Sequence, residues 1–139
     1  MIIDATNTVM GRLAAQVAKL LLKGETIEVV NIEKTVLSGE PAKIIEKYRK
    51  RRKIQYKANP EKSAKWPRRP DYLFKRVVQG MLPKNRTGET AVKRLTAHVG
   101  VPKEFESDNA ARLKTKAATT LQCKQITLEQ LCRRLGWNS

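Results

Sequence analysis

Apolar residues recur along the chain with two periods, and the switches between those periods predict its elements. Residues 1–5 carry Ile2 and Ile3 ahead of Asn7 and read as a short buried strand. Over residues 9–23 the apolar positions are Met10, Leu13, Ala14, Val17, Ala18 and Leu21, one face of an amphipathic helix. Thr8 is placed to cap that helix and Gly24 to end it. Residues 27–32 predict a second strand, and residues 35–38 a shorter third. Pro41 then suits the first turn of a helix over 41–53. Ile44, Ile45, Tyr48 and the stem of Arg52 share one side of it, with Lys43, Lys47, Lys50 and Arg51 opposite.

Periodicity is lost over residues 54–70, where Pro60, Pro67 and Pro70 punctuate a base-rich stretch containing Tyr56 and Trp66. A connection of that length is uncommon in a compact domain unless it is functional or disordered, and we expect an extended arm that becomes ordered on a partner. Asp71 is expected to cap the next helix, whose stripe is Leu73, Phe74, Val77, Val78, Met81 and Leu82, with Pro83 as its end. A helix near 89–95 and a strand at 96–99 follow. Toward the end, Thr127 and Gln130 match a capping box. Leu128, Leu131, Cys132 and Leu135 keep helical spacing, and Gly136 stands where a terminating glycine belongs.

Alternating strands and helices imply an α/β fold with a mainly parallel sheet covered on both faces. The expected organisation is a core over 1–102, including the basic helix and arm, and an extension over 103–139 with a short helix near 128–135 that packs back on the core. Residues 103–120 carry little signal.

Composition narrows the chemistry. At 139 residues the chain is one domain in size, and 40% hydrophobic residues suffice for a core. No apolar run approaches the ~20 residues of a membrane span, and the start lacks a basic segment leading into an apolar one. A soluble intracellular protein is expected. Cys123 and Cys132 form no Cys-x-x-Cys, and His98 is the one histidine, so neither a zinc site nor a His-based catalytic set is expected. No glycine-rich phosphate loop follows a strand. Glu33 and Glu40 lie near strand ends without a converging second carboxylate and read as surface or capping groups, and His98 as a core or rim imidazole. Neither enzyme activity, metal, cofactor nor small-molecule substrate is expected.

Charge changes the picture most. The chain holds 29 Lys and Arg against 13 Asp and Glu, a net charge of +16. Residues 43–69 alone hold twelve bases (Lys43, Lys47, Arg49, Lys50, Arg51, Arg52, Lys53, Lys57, Lys62, Lys65, Arg68 and Arg69) and two acids, Glu46 and Glu61. Bases so confined repel one another unless a polyanion compensates them. Nucleic acid fits, with counterion release driving association. A membrane surface does not, because no exposed apolar face accompanies these bases at helical spacing. Tyr56 and Trp66 can either stack on bases or pack on the protein. A second candidate is the segment Gly80-Met81-Leu82-Pro83-Lys84-Asn85-Arg86-Thr87-Gly88, which offers a cation, an amide, a guanidinium and a hydroxyl on a turn. Gly11-Arg12, at the first helix start, is a weaker phosphate candidate.

Several of these residues also form a recognisable series. Asp4-Ala5, Gly11-Arg12-Leu13-Ala14, Val29-Val30-Asn31 with Glu33-Lys34, Gly39, Gly80-Met81-Leu82-Pro83-Lys84-Asn85, Gly88, Arg94-Leu95 and Gly100 occur in the order and spacing of the large ribosomal subunit protein thirteen family, which the chain resembles over residues 1 to about 102. The resemblance implies a three-layer α/β/α fold around a four-stranded parallel sheet. It also implies a non-enzymatic, cytoplasmic role in the ribosome: binding large-subunit rRNA beside neighbouring ribosomal proteins, and joining early in subunit assembly. Lys84, Asn85 and Arg86 inherit an RNA contact from the family motif, and Gly80 and Pro83 a role in shaping its turn. The short connection between Gly24 and Ile27, and an Arg/Lys-rich arm lacking a His-Ser-Gly-Tyr type of sequence, resemble the archaeal and eukaryotic branch.

The expected rRNA-binding residues are therefore Arg12, Lys43, Lys47, Arg49, Lys50, Arg51, Arg52, Lys53, Lys57, Lys65, Trp66, Arg68, Arg69, Lys84, Asn85 and Arg86. Competing readings are an RNA-binding translational regulator acting off the ribosome and a nucleotide-binding α/β enzyme.

Overall fold

The computed structural model describes residues 1–105 and 121–138. Of the expected extension, residues 106–120 and 139 lie outside the described residues. A parallel sheet is built from β1 (Ile2–Asp4), β2 (Ile27–Val30) and β4 (Leu95–Ala97), in the order β1-β2-β4. Ile2 pairs with Glu28, and Ile27 with Leu95. Between β1 and β2 the chain crosses over through α1 (Met10–Leu22). Its buried side chains are the six apolar positions of the expected stripe. Gly24 takes φ +97, a left-handed conformation that glycine adopts without a Cβ clash, and so turns the chain into β2.

The expected fourth parallel strand is absent from this sheet. Asn31 adopts φ +54, and after the single turn Ile32–Lys34 the next strand does not join this sheet. The strand that follows, β3 (Val36–Ser38), instead pairs antiparallel with β5 (Gln125–Thr127), with Leu37 opposite Ile126. A three-residue strand has too few ladder bonds to specify its own partner, and the one it takes lies about ninety positions later. The architecture is thus a mixed α/β fold with five helices among the described residues, a three-stranded parallel sheet and a separate two-stranded ribbon.

The remaining helices are α2 (Pro41–Lys53), α3 (Pro70–Met81), α4 (Arg86–Lys93) and α5 (Leu128–Arg134). Helix α3 packs on α1, and fully buried Phe74 and Leu73 join Leu13, Val17, Ile3 and Val29 in the core. Each such side chain contributes roughly 1.5–3 kcal/mol on leaving water. Leu128, Leu131 and Cys132 of α5 are fully buried in the same core, so the last helix closes the fold as expected. The Thr127 hydroxyl accepts from Gln130 N at its start.

Several boundaries differ from expectation. Thr8 is not the cap of α1: its hydroxyl donates to Ala5 O at 2.7 Å, and Val9 takes the capping position without a side-chain bond. Asp71 does not cap α3, which already begins at Pro70. The fourth helix starts at Arg86 rather than residue 89, because Asn85 accepts from Gly88 N at 3.0 Å and satisfies a free amide. The last parallel strand ends at Ala97, before His98.

Candidate nucleic-acid interface

Helix α2 leaves most of its surface in water, and Tyr48 is its one buried residue. Lys43, Lys47, Arg49, Lys50 and Lys53 are exposed along it. Lys43 meets Glu40 at 3.1 Å and Lys50 meets Glu46 at 2.8 Å. The Lys50 ammonium holds the Glu46 carboxyl below its usual range, and Glu46 raises Lys50 in return. Both pairs are solvated and can be exchanged for phosphate at little cost. Lys47 and Lys53 have no ion-pair partner among the described residues, and Lys57 and Lys65 of the arm are likewise exposed and unpaired.

The arginines of the same stretch are committed differently. Arg52 donates from Nη1 to Leu135 O at 2.8 Å, and Arg49 from Nη2 to Arg134 O at 3.4 Å. These carbonyls belong to the end of α5, where backbone acceptors lack helical partners. Burial, and then the nearby Arg68 charge, lower the pKa of Arg52 without discharging it. Arg51 stacks over Trp66 at 4.7 Å and over Tyr48 at 5.4 Å from the ring centroids. Arg69 pairs with Asp71 at 2.9 Å and lies over Tyr72. Among the arginines of residues 43–69, only the exposed Arg68 makes no hydrogen bond, ion pair or ring contact with a described residue; its guanidinium lies beside Gly136.

The two aromatics of the arm divide. Trp66 meets Tyr48 edge-on at 6.0 Å and lies beneath Arg51, with Arg76 of α3 at 5.8 Å from its centroid. It therefore packs on the protein. Tyr56 is 54% exposed, and its ring touches no other ring or cation among the described residues. The arm itself is tethered: a single turn over Pro60–Lys62 is capped by Asn59, and Ser63 Oγ donates to Ile54 O and accepts from Tyr56 N, both at 3.4 Å. The roles of Arg76 and Arg134 escape sequence reasoning, since each is defined by an element it meets only in the folded chain.

Lys84, Asn85 and Arg86 are exposed at the corner between α3 and α4. Here Asn85 spends its side-chain carbonyl on the α4 cap, and its amide nitrogen makes no hydrogen bond with a described residue. Gly88 lies so close to Pro83 that a Cβ would meet Pro83 O at 1.9 Å. The steric demand of this turn thus falls on Gly88, whereas Gly80 has nothing within 4 Å of an added Cβ. Arg12 is exposed on the first turn of α1. Helix α2 packs against α5, while α4 packs against α1 and α3, so these cations stand on separate elements.

His98 sits half-buried at the rim of the sheet, just past the end of β4. Its Nε2 lies 3.1 Å from Glu28 Oε2 on the adjacent strand, and its ring meets Phe105 edge-on. Glu33 accepts from Gly100 N at 3.0 Å, a structural bond between loops. Among the described residues no group of three metal-ligating side chains converges, and no helix is long and apolar enough to cross a membrane.

A family model described as Ribosomal protein L13 matches residues 1–104. The large ribosomal subunit protein uL13 of Aeropyrum pernix is 42% identical over 98% of this chain and 89% of its own. That of Methanocaldococcus jannaschii is 41% identical over 97% of this chain and 96% of its own. That of Sulfolobus acidocaldarius is 38% identical over 97% and 92%.

Proposed function

The chain belongs to the ribosomal protein L13 family, and we propose from that membership that it is a non-enzymatic constituent of the large subunit of the cytoplasmic ribosome, binding large-subunit rRNA and touching neighbouring ribosomal proteins. The observation that carries the reading is the exposed basic stretch of α2 and the arm, where Lys47, Lys53, Lys57 and Lys65 face solvent without an acidic partner among the described residues. A compact body bearing such a stretch neutralises phosphates where RNA helices converge.

Within that role Lys43, Lys47, Lys50, Lys53, Lys57, Lys65 and Arg68 are the phosphate-facing groups. Arg49, Arg51, Arg52 and Arg69 serve the RNA chiefly by holding the elements that present those groups, and Trp66 by holding the arm. Lys84, the Asn85 amide and Arg86 form a second station, and Arg12 an outlying one. The three-layer order also belongs to this proposal. It is supported by burial of both Val29 and Val30, successive strand residues that point to opposite faces of the sheet. So does the division at residue 102, with β5 and α5 docking an extension onto the core.

The test is a salt titration of the full chain on transcribed large-subunit rRNA. Affinity falls by ~0.7–0.9 of a log unit per log unit of salt for each phosphate contacted. Changing Lys47, Lys53, Lys57 and Lys65 to Gln flattens the slope, while changing Lys19 of α1 and Lys23 just after it leaves it. A slope indifferent to the first set, or native protein sedimenting away from large subunits, would overturn the reading.

A further inference from the structure

We propose that the cleft between the end of α2 and the arm is a pocket for one unpaired ribonucleotide, with its base laid on the Tyr56 ring and its phosphates between Lys57 and Lys65. The inference rests on the reading of the chain as an rRNA-binding protein, and adds to it a site selective for single strands.

The cleft measures about 500 Å³ and is lined by Tyr56, Lys57, Lys65, Gln55 and Ser63, with Arg52 at one side. That volume lies within the range of small-ligand pockets, ~300–1,000 Å³. None of its lining residues is acidic, so its field favours an anion. Tyr56 supplies a half-exposed aromatic face, while Trp66, which also contributes to the lining, is already engaged by Arg51 and Tyr48. Gln55 offers both donors and an acceptor for a base edge.

Two sets of contacts preform the cleft. Ser63 bridges Ile54 and Tyr56 across the mouth of the arm, and Trp66 pins its far end to α2 and α3. The backbone that carries the free Tyr56 ring is therefore tethered before any ligand arrives, which lowers the ordering cost of binding. A base stacked within a duplex has no free face for Tyr56, whereas an unstacked base does.

The experiment uses the full chain and two RNA probes matched in phosphate count: a single strand of about ten nucleotides with one central 2-aminopurine, and a blunt duplex. Because stacking on an aromatic ring tolerates any base, the choice of sequence does not decide the outcome. The wild type quenches the 2-aminopurine on binding. Tyr56→Ala loses the quench and about tenfold in single-strand affinity, in line with the stacking contribution of one base. Tyr56→Phe keeps both, and all three proteins bind the duplex alike. Single-strand affinity unchanged in Tyr56→Ala, or an equal loss on the duplex, would overturn the pocket while leaving rRNA binding intact. Wild-type protein that binds neither probe in a salt-dependent manner would instead refute the underlying reading.

Discussion

The Arg52 guanidinium donates to the carbonyl of Leu135 at 2.8 Å, across 83 positions of sequence, and so fastens the last turn of α5 to the basic helix. The positive group meets the negative end of a helix whose final carbonyls lack partners. Arg52→Met, which keeps the stem, is expected to lower unfolding free energy by about 1–2 kcal/mol, the scale of a partly shielded charge-assisted hydrogen bond. Arg49→Met, on an exposed bond of 3.4 Å, should change it far less. Urea titration of both variants checks this, and equal effects would deny Arg52 its bracing role.

The turn at Pro83–Gly88 sets two glycines in contrast. Gly88→Ala drives a Cβ into Pro83 O and should destabilise by several kcal/mol, on the order of 2–4, as overpacking against backbone does. Gly80→Ala, inside α3 with open space around it, should instead stabilise by roughly 0.5–1 kcal/mol through helix propensity. Thermal melts of the two variants should therefore shift in opposite directions.

Trp66 holds the arm through one edge-on ring contact and two cation–π contacts. Each contributes about 0.5–1.5 kcal/mol. Trp66→Ala should leave global unfolding nearly cooperative while exposing the arm locally. Trypsin would then cut after Lys57, Lys62 and Lys65 at a faster rate than in the wild type. An unchanged cleavage rate would mean the arm is held by something other than this cluster.

Cys132 is fully buried, and burial, followed by the nearby Asp71 charge, pushes its thiol up to about 12. In the unfolded chain the same thiol titrates near 9.0. Between those values the unfolded state has lost a proton that the folded state keeps, so stability is full below about pH 9 and declines as pH rises toward 12. Cys132→Ser should remove that part of the alkaline loss, as read from denaturant midpoints across the window. Thiol titration at pH 8 should find exposed Cys123 reactive and Cys132 silent until unfolding.

Much of the local structure was legible because its causes are local. The α1 stripe, the left-handed Gly24 and Gly136, the Thr127 cap and the exit at Pro83 each follow from residues within a turn or two of one another. The Thr8 and Asp71 assignments failed for a related reason. The Thr8 hydroxyl bonds back to Ala5 O, and Asp71, already inside α3, pairs with Arg69. The candidate interface was legible as a charge density, but not as a division of labour. Arg51 and Arg52 look interchangeable in a run of bases, yet one covers a ring and the other closes a helix.

From its order of residues alone, this protein had settled where it would be helical, where its positive charge would gather and what kind of partner that charge demands, because periodicity and composition are properties of the chain itself. Folding decided which strand β3 would join, which arginines are spent on carbonyls, rings and carboxylates of the protein itself, and which of two arm aromatics stays open. Those outcomes depend on groups far apart in sequence meeting at a few ångströms, and hydrogen bonds, stacking and close packing act only over that distance.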